Sequence, residues 1–361
     1  MTRVGIMTFL HNENCGSSLQ AWALQETLRT LGYDPVGLDW LPDRAEQVRN
    51  LLASGNSPAV VLDSLRRKKA RGERNTAGFD AFCRERLSLS PVCRTRSALR
   101  AEGARCDILL CGSDQVWSPE WLNSAYFLDF AGDRPRVAYA CSLGVSAAPS
   151  ARKRRRIAAL VRPFGAVSVR EEEGAALLRG LLPDKAVDVM PDPVMLVTGD
   201  RWRSLCGDPA PERTLACYFL RDQEHGWRLA EETARERGLD LLPLAVTQQG
   251  RARAGAVPNP DPLRWLTAMA AAEAVITDSF HGAAMAALLG KPLTVVRRWR
   301  DGDPQSKNSR IDQLMRLAGW TEDGACLPSA RVAESLAAQR EKGIRWLSAA
   351  LEQALQGGGQ R

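Results

Sequence analysis

The stretch "AVITDSFHGAAMAALLGKP", residues 274 to 292, changes its periodicity half-way along. Ala274 to Thr277 is a short apolar, β-prone run, and the small-residue segment after it ends at Gly290, with Pro292 beyond. Asp278 and Ser279 lie between the two. Both are good helix N-caps, because their side-chain oxygens accept from the orphan N–H groups of a first turn. Gly290 suits the C-cap and Pro292 blocks continuation. A strand that runs straight into a helix is half of a βαβ unit, and in open α/β sheets ligands bind beyond the carboxyl ends of the strands. His281, one of three histidines, stands at such an end. First-turn N–H groups and the helix dipole give the position an anion preference of about 0.3–1 kcal/mol. Gly282 leaves room for a ligand to approach.

The same alternation covers the rest of the chain. "RVGIMTF" (3–9), "CDILLCG" (106–112), "RVAYACSLG" (136–144), "AVSVR" (166–170) and "AVDVMPDPVML" (186–196) read as strands. Helical patterns separate them: 17–32 with Gly32 as its stop, the charged region 43–104, 152–165 and 171–182. A second set begins near Thr214, with strands at 215–220, 239–246, 274–277 and 292–296 and helices between. Alternation of this length implies parallel sheets with helices on both faces. A chain of 361 residues accommodates two domains of roughly 150 to 200 residues. The expectation is an α/β protein of two tandem Rossmann-like domains facing a cleft. Residues 1–198 form the first, 199–328 the second, 329–356 a C-terminal amphipathic helix and 357–361 a disordered tail.

Composition narrows the partners. A net charge of +7, dominated by arginine, favours anionic small molecules or an anionic membrane surface at least as much as nucleic acid. No segment reaches the ~18 apolar residues of a membrane span, and "MTRVGIMTFL" is too strand-like for a signal peptide. Nine cysteines without a C-x-x-C pair point to reduced thiols in a cytoplasm. Cysteines and histidines are not clustered, so no metal site is expected. Two charge runs, "RRKKARGER" (66–74) and "RKRRR" (152–156), read as solvated helix faces or as contacts to an anionic membrane.

Six segments in order carry a resemblance. "ITDSFHGAAMAALLGKP" resembles the C-terminal signature of the polysaccharide pyruvyl transferase family, and "NENCGSSLQAWALQETLRTLGY" its first βα turn. "CGSDQVWSPEW" with "YFLDF", "YACSLG", "VSVREEEGAALL" with "VMPDPVML", and "NSRIDQLMRLAGW" follow the same family order, from residue 3 to about 320. The resemblance implies a fold similar to the GT-B glycosyltransferases. It also implies a reaction that moves the enolpyruvyl group of phosphoenolpyruvate onto a sugar as a pyruvate ketal, with neither metal nor nucleotide cofactor. His281 matches the family's catalytic histidine, and general-acid protonation of the donor's methylene carbon suits an imidazole. The chain departs from the family where an arginine precedes the histidine by two residues, because Ser279 stands there. Arg170, Arg310 and the pair Arg297 and Arg298 are the candidates to hold the donor carboxylate in its place.

The remaining candidates are polar groups at strand ends. Asn14, Gly16 and Ser17 offer N–H groups and hydroxyls to a sugar or its diphosphate, in a turn that is neither a G-x-G-x-x-G motif nor a P-loop. Ser113, Asp114 and Gln115 follow a buried strand and are expected to reach the cleft, Asp114 as base or orienting group for the acceptor hydroxyl. Trp117 and Trp121 are candidates for stacking on a sugar ring. Cys15 and Cys141 read as structural thiols, and Asp192 as the residue that fixes the turn between its two prolines. The first domain is read as the acceptor side and the second as the phosphoenolpyruvate side. The expected acceptor is a glycan or polyprenyl-diphosphate-linked sugar, with peripheral contact to the inner membrane leaflet and no nucleic acid. Two rivals stand beside this reading: a GT-B glycosyltransferase using a nucleotide sugar, and a non-catalytic ligand-binding relative.

Overall fold

A computed structural model describes residues 1–53, 76–145, 148–298, 309–318, 320 and 326–358. Strands β1 (Arg3–Met7), β2 (Asp34–Gly37), β3 (Ile108–Cys111), β4 (Arg136–Cys141), β5 (Ala166–Val169) and β6 (Asp188–Val189) form one parallel sheet in the order β2-β1-β3-β4-β5-β6. Strands β7 (Glu212–Tyr218), β8 (Asp240–Ala245), β9 (Val257–Pro258), β10 (Ala272–Thr277) and β11 (Leu293–Val295) form a second, ordered β11-β10-β7-β8-β9. Both are Rossmann-like. Each sheet reverses its winding once among the described residues, between β1 and β3 in the first and between β7 and β10 in the second.

The helices are α1 (Cys15–Thr30), α2 (Arg44–Ala53), α3 (Thr76–Arg86), α4 (Arg96–Gly103), α5 (Ala151–Val161), α6 (Glu172–Leu181), α7 (Gly199–Leu205), α8 (Glu224–Arg237), α9 (Gln248–Arg251), α10 (Pro262–Ala271), α11 (Phe280–Leu288), α12 (Ser309–Ala318) and α13 (Ala330–Gly358). No helix among the described residues is long and apolar enough to cross a membrane.

Central strands such as β3 ("ILLC") are buried along their whole length, as a parallel sheet covered on both faces requires. One face of the first sheet packs Trp117 against Phe127, stacked with centroids 5.0 Å apart, and Phe164 at its edge. The other face is closed by α13, whose Leu347, Ala350 and Leu351 join Val4, Ile6, Ile108 and Val137. The last helix therefore belongs with the first sheet, although the chain reaches it from the second. A third core crosses between the halves: Leu19 and Trp22 of α1 are buried with Trp202, Trp265 and Phe280. The rings of Trp22 and Trp202 stand 4.9 Å apart. The two sheets are joined by apolar contact as well as by the chain.

The structure corrects the sequence reading in three places. The expected strand 186–196 pairs only at Asp188–Val189, and Pro193–Leu196 turns into a 3₁₀ helix. Pro191 and Pro193 supply no N–H to a ladder, which ends the pairing. Helix α13 continues through Gly357 and Gly358, where a disordered tail was expected, and 359–361 lie outside the described residues. Strand β2 was not anticipated, because Asp34 and Pro35 mask a four-residue strand. The basic run 66–74 lies outside the described residues.

Candidate active site

Both reversals of winding face one cleft of about 220 Å³. From the first sheet it is lined by Phe9, Asn12, Asn14 and Ser17 after β1, and by Asp114, Gln115 and Trp121 after β3. The second contributes Leu220 after β7, Ser279, Phe280 and His281 after β10, and Arg298 after β11. Every lining loop leaves the carboxyl end of a parallel strand, where open α/β sheets bind ligands.

Local chemistry sets each wall. Asn14 caps α1, its side chain accepting from the Ser17 N–H at 3.2 Å. The Ser17 hydroxyl donates to Asp114, whose other carboxylate oxygen accepts from the Gln115 N–H at 2.8 Å. Asp114 has φ +68, a left-handed conformation that aspartate tolerates, and its carbonyl accepts from the Ser142 N–H at 2.9 Å. Gln20 pins this wall from behind. Its amide donates to Thr8 Oγ1 at 2.8 Å and accepts from the Ser113 N–H at 2.9 Å, tying the loops after β1 and β3 to α1.

On the other wall Ser279 caps α11, accepting from the Gly282 N–H at 3.4 Å. Thr277 donates to the Tyr218 carbonyl at 2.6 Å and locks β10 to β7. Asp278 accepts from the Leu220 N–H at 2.8 Å and from Arg298 Nε at 3.2 Å, and Arg298 also reaches the Asp278 carbonyl at 2.9 Å. Burial pushes the Asp278 carboxyl up, and Arg298 offsets this only in part.

His281 is 12% exposed, and its Nε2 has no hydrogen-bond partner. Asp192 Oδ2 lies 3.6 Å from that nitrogen. The same carboxylate pairs with Arg170 and caps the 3₁₀ turn through the Val194 N–H at 3.1 Å. Burial raises the Asp192 carboxyl, but Arg170 and then His281 outweigh it and hold it below the usual carboxylate range. The other face of the imidazole meets Gly16 so closely that a Cβ there would overlap the ring. One histidine thus touches both halves of the molecule.

The family model described as "Polysaccharide pyruvyl transferase" matches residues 14–300. The chain belongs to the polysaccharide pyruvyl transferase family. Among solved structures it is similar to UDP-GlcNAc 2-epimerase from Neisseria meningitidis bound to UDP-GlcNAc, at 12% identity and TM-score 0.50, covering 96% of this chain and 99% of that one. It is also similar to S. aureus MnaA with UDP (13% identity, 97% and 91% coverage, TM-score 0.48) and to an alpha-glucosyltransferase in complex with UDP (11%, 96% and 95%, 0.45). These likenesses concern the fold, which is of the GT-B type. No curated protein matches the sequence.

Within this pyruvyl transferase fold, His281, Asp114, Ser17, Asn14, Gln115 and Ser279 come together at the cleft, with Gly16 against the imidazole. Several expectations are corrected. Arg170 is 4% exposed and turned to Asp192 and Asp114, with its guanidinium 4.8 Å over the Phe280 ring. It borders a separate cavity of about 20 Å³ and is absent from the cleft lining. Ser113 is fully buried, its hydroxyl donating to the Ala140 carbonyl at 2.5 Å, so it does not reach the cleft. Gly282 makes room for Thr277 rather than for a ligand, since a Cβ would stand 2.5 Å from Thr277 Oγ1. Trp117 is wholly buried, while Trp121 lines the cleft. Arg297 pairs with Asp312 at 3.2 Å. Arg310 lies in the first turn of α12, and its side chain is outside the described residues.

Sequence reading missed one residue. Asp192 was taken for a turn residue alone, although its place after β6 puts it at the same carboxyl edge as Arg170. Of the four candidate arginines, Arg298 is the one found in the cleft lining. Burial pushes the thiols of Cys15 and Cys141 up, which leaves neither as a ready nucleophile.

Two measurements check this geometry. Gly16→Ala should forfeit the ~1 kcal/mol that alanine usually gains over glycine in a helix and should move the His281 imidazole resonances in an NMR spectrum. Unchanged resonances would remove the contact. Asp192→Asn leaves buried Arg170 without its nearest counter-ion and should cost about 3–5 kcal/mol at neutral pH. Because the folded carboxyl titrates below the ~3.9 of an unfolded aspartate, Asp192 contributes fully above about pH 4, and its contribution is lost as pH falls through the folded value. Urea denaturation of both proteins should therefore show a stability gap that narrows in acid.

Proposed function

We propose that the protein transfers the enolpyruvyl group of phosphoenolpyruvate to a sugar of a cell-surface polysaccharide or lipid-linked glycan precursor, forming a pyruvate ketal. One observation carries the reading: His281 lines a two-walled polar cleft, with a buried carboxylate 3.6 Å from its Nε2. Family membership supplies the reaction class.

In this reading the imidazolium of His281 gives a proton to the methylene carbon of the donor, and positive charge develops at C2. Asp192 Oδ2 lies 3.6 Å from the His281 Nε2 and orients the ring. A sugar hydroxyl on the opposite wall attacks C2 and yields its proton to Asp114, which Ser17 and the Gln115 N–H hold in place. The C2–O bond to phosphate breaks, inorganic phosphate leaves with the proton that Asp114 took, and a second hydroxyl closes the ketal, returning a proton to the imidazole. Arg298 and the N-terminal N–H groups of α11 are suited to the donor's anionic ends. Arg298 takes the anchoring part that the sequence reading gave first to Arg170, and no metal is invoked.

Phosphate release from phosphoenolpyruvate in the presence of a sugar acceptor tests the proposal. Release of UDP from a nucleotide sugar instead would favour a glycosyltransferase, and tight donor binding without turnover a ligand-binding relative. His281→Ala should lower kcat by ~100-fold or more, the scale of a lost general acid, and a near-wild-type rate would end the mechanism. Arg298→Ala should raise KM for phosphoenolpyruvate about tenfold, as expected for a lost charged hydrogen bond, with a smaller effect on kcat. An unchanged KM would move the anchor elsewhere.

A further inference from the structure

Helix α5 is charged against its own dipole. Arg152, Lys153, Arg154, Arg155 and Arg156 follow one another at its start, and no acidic residue lies in its first turn. Ser150 caps it, accepting from the Lys153 N–H at 3.4 Å. Cations at a helix N-terminus face the positive end of the macrodipole and are disfavoured. Neighbouring acids do not relieve this. None occurs between Asp133 and Glu171 in the sequence, and Glu171 is buried, accepting from Ser142. Among the described residues, no ion pair reaches any of the five.

The helix lies on the first sheet by Ile157, Leu160 and Val161. Arg152, Arg155 and Arg156 are exposed on its outer side, and Ala159 and Arg162 continue that stripe at helical spacing. Because α5 joins the parallel strands β4 and β5, it starts at the carboxyl edge of the sheet, the edge whose loops line the cleft. The stripe runs along one exposed helix face from Arg152 to Arg162. Its complement is an extended negative surface.

We infer that the outer face of α5 docks the protein on an anionic phospholipid bilayer, with the cleft edge of the first domain toward the membrane. This goes beyond the proposed reaction and does not rest on it. Juxtamembrane cations each strengthen attachment to an anionic leaflet by about fivefold, and the attraction is screened by salt. The stripe carries no aromatic ring on which bases would stack, which disfavours single-stranded nucleic acid as the occupant.

Sedimentation of the full chain with vesicles tests the inference. The protein should pellet with mixed phosphatidylglycerol and phosphatidylcholine vesicles, stay in solution with phosphatidylcholine alone, and be released at high salt. The triple variant Arg152→Gln, Arg155→Gln, Arg156→Gln should bind the mixed vesicles on the order of a hundredfold more weakly. Its Tm should be equal or higher, because cations leave the wrong end of a helix. A control removing Arg228, Arg235 and Arg237 of α8 in the same way should bind as wild type. The inference is overturned by absence of binding to the mixed vesicles, by equal binding to neutral ones, or by a triple variant that binds as wild type. Tighter binding to nucleic acid than to anionic vesicles at the same salt, lost in the triple variant, overturns it as well.

Discussion

Everything at the candidate site depends on how closely α1 approaches His281. The imidazole comes from a helix of the second sheet and the glycine it touches from a helix of the first, so the site exists only while the two sheets are held together. The buried contact of Leu19 and Trp22 with Trp202 and Trp265 holds them. Burial of aromatic side chains of this size contributes several kcal/mol apiece, far more than a polar contact across an open cleft supplies. The interface fixes the cleft width, and a residue larger than glycine at position 16 has no space in which to stand.

Behind the histidine the electrostatics are unusually committed. Arg170, Asp192 and Asp114 form a chain of charges in which the arginine and Asp192 are almost wholly withdrawn from water. A buried ion pair recovers its desolvation cost only with good geometry, so it is weak evidence for stability as such. Its consequence is positional. Arg170 holds Asp192 ionised, and an ionised Asp192 stands beside the Nε2 of His281. Arg170 meets His281 only through this carboxylate, and it is buried by pairing with two aspartates.

The fold was legible because parallel sheets demand alternating apolar runs and helices, and β1, β3, β7 and β10 are built on unbroken apolar runs. Segments interrupted by proline were not. Strand β2 hides a proline, and the segment around Asp192 is shaped by two prolines that imitate a strand end. At the site, residues displayed by a cap or a turn were found: Asn14, Ser17 and His281 sit at strand–helix junctions, and Asp114 in the turn after β3, all announced by the sequence. Side-chain direction was not accessible. Ser113 and Asp114 are neighbours beyond the end of β3, yet one faces the core and the other the cleft, through a left-handed backbone at Asp114 that no strand period encodes. The position of Arg298 depended on a contact with Asp278 twenty residues earlier, which no local pattern encodes.

That contact also bears on the missing arginine two residues before His281. A cation need not come from the helix that carries the histidine. Asp278 precedes Ser279 directly and is buried, and its carboxylate and carbonyl both receive Arg298 from the neighbouring strand's end. A long side chain held at two points loses less freedom on meeting an anion than one swinging from a surface, so part of the ordering cost is met in advance. Asp278 also lowers the net charge that Arg298 presents. The serine at 279 caps α11 through the Gly282 N–H and lines the cleft together with Arg298. In the proposed reading, a short neutral cap and an arginine brought in from the next strand make one corner for the donor's anion from two elements, with its orientation set by a buried aspartate.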